Sequence, residues 1–152
     1  MNDVRCPLNE SATISHERIA IMGGEGILHY GDFEQCVHTT TLLLGRAGCR
    51  AGDRVALLMP LSWQYLVLIM ALFRVGAVVC FVDCRLSPGR LKPLLERAAC
   101  RRAIAAGPGP EGLQVDVLHA EELVGFVAPP RDKAALPPRA VRLPIARPSK
   151  SP

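Results

Sequence analysis

The sequence predicts an α/β fold, with an open, mostly parallel sheet, helices on both faces, and a short hairpin in front. Short apolar runs alternate with stretches of helical periodicity, and Gly, Pro and Ser separate them. The apolar residues are mainly Ala, Val, Leu and Ile, which fill buried parallel strands, while aromatic residues make up only 5%. A length of 152 residues suits one domain with a sizeable core.

The first part of the chain predicts an arm followed by a hairpin. Residues 1–17 show no clear periodicity and are expected to form a loose N-terminal arm. Residues 18–22 and 27–30 are short runs of β character, and the glycine-rich turn 23–26 lies between them. Two such runs joined by a short glycine turn predict a β-hairpin.

A first helix is predicted after Gly31. Asp32 is expected to cap it, because a short carboxylate side chain can accept hydrogen bonds from the first backbone N–H groups. The helix is expected to end within residues 45–48, which contain two glycines. Residues at helical spacing form its expected inner face: Phe33, Val37, Thr40 or Thr41, and Leu44.

The central part of the chain predicts a βαβ unit. Residues 55–59 are an unbroken apolar run, typical of a strand buried on both faces. Ser62 is expected to cap a helix that Gly76 terminates, and this helix is predicted to be buried because it is apolar nearly all round. Residues 77–82 form the next predicted buried strand, with Asp83 at its end.

The remaining body predicts one more helix and two more strands. Ser87 is the expected cap of a helix with Pro88 at its first position. Its expected inner face consists of Leu91, Leu94, Leu95 and Ala98. Parallel strands follow at 102–106 and 115–118, and a helical turn at 120–124.

The last 24 residues differ in composition from the body. Seven of them are Pro, and they show no helical or strand period. Residues 129–152 are therefore predicted to be a linker or disordered tail, and residues 18–128 the folded body.

The net charge of +4 is distributed unevenly. Residues 129–152 hold six Lys or Arg and one Asp, whereas residues 1–128 hold twelve basic and thirteen acidic residues. A nucleic-acid-binding domain would need a basic face on its body, so this class of function is not expected.

Residues 55–73 form a stretch of nineteen residues without a charge, close to the length of a membrane-spanning helix. Pro60, Ser62 and Gln64 interrupt it, and this pattern favours a strand end and a helix cap over a membrane span. The polar residues 1–14 do not resemble a signal peptide. A cytoplasmic, reducing location is therefore expected.

The cysteines and histidines predict no metal site. No CxxC pair occurs, and the four histidines are scattered. The thiols are expected to be reduced and to act as small apolar core residues. They are Cys6, Cys36, Cys49, Cys80, Cys84 and Cys100.

Structural roles are favoured over catalytic roles for the candidate residues of this sequence. Ser62 lacks the Gly-x-Ser-x-Gly surroundings of a hydrolase nucleophile. Asp83 follows a strand, where open α/β sheets place ligand-binding groups, but a pair with Arg85 is favoured. Structural or surface roles are expected for the remaining polar and aromatic candidates: His16, His29, His38, His119, Trp63, Tyr65, Glu121 and Glu122.

The glycine-rich segments do not predict a phosphate-binding loop. The turn 23–26 lies between two strands, and no Lys follows it. Segment 107–109 lacks Lys and Ser, and segment 45–52 leads into a strand instead of a helix, so the dinucleotide-binding pattern fails.

Four segments, in order and with fitting spacing, resemble the N-terminal part of the adenylate-forming superfamily of acyl-CoA synthetases, luciferases and peptide-synthetase adenylation domains. Residues 27–33 (ILHYGDF) resemble its TYGEL segment, and residues 51–60 (AGDRVALLMP) its GDRVALLLPNS strand. Residues 73–79 (FRVGAVV) resemble its AGAVVVPL segment, and residues 83–91 (DCRLSPGRL) its NPRLSPEEL segment. The resemblance covers about residues 15–125, and residues 6–8 (CPL) lean toward the o-succinylbenzoate–CoA ligase branch.

Two departures concern the sheet. The family often has a polar residue where Leu61 stands and a Pro where Cys80 or Phe81 stands.

The resemblance implies the partial N-terminal lobe of a ligase that uses ATP and Mg²⁺ to form an acyl-AMP from a carboxylic acid. The full-length enzyme then transfers the acyl group to CoA.

The residues that carry this chemistry in the family are absent from the 152 residues. The phosphate loop ending in Gly-x-Pro-Lys does not occur, and the family's catalytic Lys lies much later than position 152. The resemblance therefore predicts a truncated fragment that is inactive alone, with no catalytic, cofactor-binding or metal residue. It leaves open whether the chain is itself an enzyme.

Two further expectations remain. The alternative function is a non-catalytic, flavodoxin-like ligand-binding or interaction module, which would use the loops near Pro60, Asp83 and Gly107. Self-association is also expected, because the helix 62–75 or a sheet edge would expose apolar surface.

Overall fold

A computed structural model of the chain describes residues 8, 12–13, 15–23, 26–107, 109 and 111–124. A two-stranded antiparallel hairpin consists of β1 (Ile19–Gly23) and β2 (Gly26–His29). A parallel sheet consists of β3 (Arg54–Leu58), β4 (Val78–Phe81), β5 (Arg102–Ala105) and β6 (Asp116–His119). The helices around it are α1 (Tyr30–Arg46), α2 (Trp63–Val75), α3 (Pro88–Arg97) and α4 (Ala120–Leu123). The predicted fold class is confirmed, while the predicted tail 129–152 lies outside the described residues.

The parallel sheet has the strand order β4-β3-β5-β6. β3 lies inside the sheet, with Val55 opposite Val79 of β4 on one side and Arg102 of β5 on the other. Helices α2 and α3 connect β3 to β4 and β4 to β5. Because the strands are parallel, their carboxyl ends all lie at the same end of the sheet.

Helices cover both faces of the sheet, as predicted. Val55 and Leu57 of β3 point to one face, in a core shared with α1 and α2. Ala56 and Leu58 point to the other face, where they pack with Leu91 and other residues of α3. This division follows from the alternation of side chains along a strand.

The start of α1 corrects one prediction. The helix begins at Tyr30 directly after β2, so Asp32 lies in its first turn and is not its cap. The N–H groups of Tyr30 and Gly31 instead donate to the carbonyl oxygens of Arg18 (2.9 Å) and His16 (3.0 Å). A carboxylate cap is not needed because the preceding chain already satisfies these donors. The buried face is close to the predicted one: Phe33, Cys36, Val37, Thr40 and Leu44.

Helix α2 has the predicted ends but is less buried than predicted. The Ser62 hydroxyl accepts from the N–H of Tyr65 at 3.2 Å, and Gly76 ends the helix at φ +81°. Phe73, however, is 56% exposed. The fully buried residues lie on one face: Val67, Leu68, Ala71 and Leu72.

Strand β4 was predicted to be buried, and this prediction is wrong. β4 is an edge strand, and its Val78 and Phe81 side chains are 47% and 60% exposed. An apolar run of this length predicts a strand, but its position in the sheet depends on the rest of the fold. The sequence could not determine that β3 would pair on both sides while β4 would not.

Helix α3 begins at Pro88 as predicted, although the Ser87 side chain forms no capping hydrogen bond. Its buried residues are Leu91 and Leu95, four positions apart, whereas Leu94 is 43% exposed. The predicted inner face was therefore too wide, because a short helix at the side of the sheet buries only a narrow stripe.

Two described residues of the predicted N-terminal arm are buried, namely Leu8 and Ala12. Leu8 belongs to the core beneath α1 and α2, which also contains Leu28 of β2. Thr13, His16 and Glu17 of the same segment are exposed. The burial of Leu8 could not be predicted, because residues 1–17 show no clear periodicity.

Candidate functional site

The carboxyl ends of β3 and β4 border an open cleft of about 510 Å³. Its apolar lining comes from the loop after β3, the first turn of α2 and the end of β4: Met59, Pro60, Leu61, Tyr65 and Val82. Its polar lining comes from the loop after β4: Asp83, Cys84 and Arg85. The structure thus brings together Pro60 and Asp83, two of the three predicted loop positions. Ligands of open α/β sheets bind at this end of the strands.

Tyr65, which lines the cleft, lies near an aromatic residue of β4. The Tyr65 ring lies 6.4 Å from the Phe81 ring at an interplanar angle of 40°. Burial raises the pKa of Tyr65, with a smaller contribution from Cys84. Trp63 and Tyr65 both pack against the core that the sheet shares with α1 and α2, so their predicted role as packing residues is confirmed.

The charged groups of the cleft are paired with each other. Asp83 accepts hydrogen bonds from Arg85, through the backbone N–H (3.0 Å), Nε (3.0 Å) and Nη2 (2.9 Å). These bonds, mainly those from the guanidinium, lower the pKa of Asp83 to about 2. The predicted Asp83–Arg85 pair is confirmed, and both oxygens of the carboxylate are already in hydrogen bonds.

Gly107 does not line this cleft. It follows β5, and its N–H donates to Oε1 of Glu121 at 3.0 Å. Its carbonyl oxygen lies 3.1 Å from Nδ1 of His119. Glu121 is exposed, yet these contacts give it a local structural role beyond the solvated position that was expected. Its pKa is lowered by its own backbone N–H and then by that of Gly107.

The glycine segments at 23–26 and 107–109, as far as the structure describes them, are not suited to bind the phosphates of a nucleoside triphosphate. Gly23 and Gly26 pair across the hairpin. At Gly107 the backbone donor is occupied, and the Glu121 carboxylate would repel phosphate. In their described residues, neither of these segments therefore offers a run of free backbone donors for the phosphates of ATP.

The histidines and cysteines show no catalytic arrangement in the described residues. His29 Nδ1 lies 3.8 Å from Oδ2 of Asp32. This proximity was not predicted, although residues three positions apart at the start of a helix lie close together. No group of three His, Cys, Asp or Glu within the described ranges could hold a metal ion.

The described cysteines are all free thiols. Cys36, Cys49 and Cys100 are buried as expected, whereas Cys84 is exposed in the cleft. Burial raises the pKa of both Cys36 and Cys100 to about 12. Cys6 lies outside the described residues.

In the part of the chain that the structure describes, no helix combines the length and the apolar character needed to cross a bilayer.

A family model described as "AMP-binding enzyme" matches residues 8–143. The chain belongs to this family. Its relatives include 2-succinylbenzoate–CoA ligase of Geobacillus kaustophilus, 33% identical over 64% of this chain and 20% of the relative. Another is 3-hydroxybenzoate–CoA ligase of an Aromatoleum species, 33% identical over 54% of this chain and 16% of the relative.

Solved structures of AMP-binding enzymes share the fold. The N-terminal subdomain of NpsA from Klebsiella oxytoca, in complex with 3-hydroxybenzoyl-AMSN, aligns with a TM-score of 0.72 and 21% identity, covering 80% of this chain and 31% of that one. O-succinylbenzoate CoA synthetase (MenE) from Bacillus subtilis, in complex with AMP, aligns with a TM-score of 0.72 and 18% identity, covering 81% and 33%. The fold is thus that of the N-terminal subdomain of adenylate-forming enzymes.

The chain spans a third or less of the length of these AMP-binding relatives. The comparisons give no support to the alternative of a flavodoxin-like binding module. They agree with the predicted resemblance, including relatives from the o-succinylbenzoate–CoA ligase branch.

Proposed function

We propose that this chain is the scaffold part of an ATP-dependent acid–thiol ligase. In the full-length enzyme, a carboxylic acid would be activated as acyl-AMP and transferred to CoA. The observation that carries this proposal is the family match over residues 8–143, on a parallel sheet whose carboxyl end is open.

The role of these residues in that enzyme is to position and support the site. β3 and β4 carry the loops at 59–62 and 82–85 to one end of the sheet, and Ser62 fixes the first turn of α2 beside them. The Asp83 carboxylate is held by Arg85 and is not available as a base. We therefore propose that the 152-residue chain alone does not activate acids.

The test measures pyrophosphate release from ATP and Mg²⁺ with acetate, 3-hydroxybenzoate or 2-succinylbenzoate. The 152-residue chain alone is expected to give no release above the blank without acid. A chimera, in which residues 15–124 replace the corresponding segment of the Geobacillus ligase, is expected to activate 2-succinylbenzoate.

The acid preference of the chimera should follow the Geobacillus part, because we place the acid pocket outside these residues. Turnover by the chain alone would contradict the fragment role. A chimera that is monodisperse and unfolds cooperatively but forms no acyl-AMP would contradict the scaffold role.

A further inference from the structure

The two edges of the parallel sheet differ in their chemistry. At one edge, β6 begins with Asp116, whose Oδ2 lies 3.4 Å from Nε of Arg102, and it ends with His119. At the other edge, residues 77–82 around β4 carry no charge, and Val78 and Phe81 are largely exposed. Charges, prolines and bulges are the usual protection of edge strands against pairing. β4 has none of these, and its register with β3 is uninterrupted.

The outward backbone groups of β4 can be assigned from its pairing with β3. The N–H of Val78 donates to the carbonyl of Asp53 at 2.8 Å, so Val78 faces β3. Because this direction alternates along a strand, Cys80 also faces β3, whereas Val79 and Phe81 point outward. No strand within the described ranges pairs with that outer side.

A second copy of this chain fits this edge. Pairing of an uncharged strand with itself brings no like charges together, and a two-fold axis makes both contacts identical. An axis perpendicular to the sheet makes the two strands antiparallel and keeps each face of the sheet continuous. The register that uses both outward residues places Val79 opposite the second copy's Phe81, with Cys80 on the axis.

We propose that β4 pairs antiparallel with β4 of a second copy of this chain, centred on Cys80, to form one continuous sheet. Each Val79–Phe81 pair would exchange two backbone hydrogen bonds. Strands of four residues bury less area than the roughly 1,200 Å² of a standard stable interface. The dimer is therefore expected to be weak, with a dissociation constant in the micromolar range.

The first test is sedimentation of the 152-residue chain over a concentration series under reducing conditions. A reversible monomer–dimer equilibrium is expected. Val78→Lys should weaken the dimer about tenfold or more, because the two-fold axis places the charge in the interface twice. The matched control is Leu94→Lys, at a residue of similar exposure on α3, which should leave the equilibrium unchanged.

The second test traps the register. In the proposed pairing the two Cys80 residues form a non-hydrogen-bonded pair, with Cα atoms about 4.5 Å apart, within the range of a disulfide. Diamide would accept two electrons and two protons from the two thiols and become the hydrazine, while one S–S bond forms. The Cys100→Ser background is used because Cys80 packs against the same core cluster as Cys100, whose thiol would otherwise compete for the disulfide.

A covalent dimer is expected on a non-reducing gel in that background, and it should be lost with Cys80→Ser and retained with Cys84→Ser. A band that persists without Cys80 but is lost without Cys84 would overturn the proposal. So would a chain that stays monomeric up to about 0.5 mM, far above the micromolar range, since β4 would then be left for another segment or partner. A lysine variant that does not fold is recognised by circular dichroism. Sedimentation of the unmodified chain and the disulfide cross-link through Cys80 then test the proposal without it.

Discussion

The two ends of the parallel sheet are built differently. At the amino end, side chains and turns connect neighbouring strands to each other. At the carboxyl end, the described polar contacts do not join β3 to β4, and the loops after these two strands border an open cleft. This difference indicates that the amino end contributes mainly to stability, while the carboxyl end is free to take part in a site.

At the amino end, Arg102 and a backbone hydrogen bond between two turns connect neighbouring strands. Arg102 at the start of β5 lies between Asp53 before β3 (3.8 Å) and Asp116 of β6 (3.4 Å). The N–H of Gly52 donates to the carbonyl of Gly76 at 2.8 Å, which joins the starts of β3 and β4. These contacts link the starts of all the strands in the sheet.

At the carboxyl end, the described contacts lie within one loop or between the ends of β5 and β6. Asp83 and Arg85 are two residues apart, and their side chains are 45% and 86% exposed. Gly107 is bonded to Glu121 and His119, which follow or end the neighbouring strand β6. None of these contacts crosses the cleft between the ends of β3 and β4.

The largest expected difference comes from glycines with positive φ at the two ends. Gly76→Ala should lower the free energy of unfolding by about 2–3 kcal/mol, because it adds backbone strain and brings a Cβ within 3.1 Å of Cβ of Ala51. Gly107→Ala has a similar φ of +71°, but its Cβ would meet no described atom within 4 Å, so about 1–2 kcal/mol is expected. Urea denaturation measures both, and equal losses would contradict the difference in packing between the two ends.

Arginine substitutions give a smaller contrast. Arg102→Gln should cost about 1–2 kcal/mol, because its 23% exposed side chain pairs with carboxylates of two strands. Arg85→Gln should change stability by about 0.5 kcal/mol or less, since its pair is exposed and local. Thermal unfolding at two salt concentrations checks this. If Arg85→Gln lowers the free energy of unfolding as much as Arg102→Gln does, the Asp83–Arg85 pair contributes to the stability of the whole fold and not only to its own loop.

Much of the fold could be predicted because local signals and tertiary structure agree. Ser62 and Gly76 bound α2 as predicted, since a hydroxyl cap and a left-handed glycine act within one turn of the helix. The start of α1 could not be predicted, because its donors are satisfied by carbonyls more than ten residues earlier. The exposure of β4 could not be predicted either, because the order of strands depends on contacts between distant segments.

Less of the site could be predicted. Asp83 and its pairing with Arg85 follow from two nearby residues at a strand end, and both were expected. The remaining lining, such as Leu61 and Tyr65, comes from the α2 start, which meets the β4 end only after the sheet forms. Gly107 also follows a strand, which predicts a place beside these loops, but β5 lies on the far side of β3 from β4.

The smallest expected effect concerns the protonation of Asp83. Its pKa of about 2 lies below the ordinary value of 3.8, chiefly because of hydrogen bonds from Arg85. A lowered folded-state pKa means that the stabilisation is fully present above pH 3.8 and is lost as pH falls through about 2. Because both side chains are exposed, the effect on overall unfolding is expected to be slight. Arg85→Gln should return the pKa of Asp83 toward its ordinary value.

Carboxyl carbon NMR shifts near pH 3.8 measure this without approaching acid unfolding. At that pH the Asp83 carboxyl should be almost fully ionised in the unmodified chain and more protonated in Arg85→Gln, where only the backbone N–H of residue 85 still donates to it. The matched control is Arg90→Gln, at an exposed arginine that lies on α3 and not beside Asp83. It should leave the Asp83 signal unchanged. If Asp83 titrates alike in all three proteins, its low pKa does not come from Arg85. The charge of the cleft would then be set by the end of the sheet and not by the local pair.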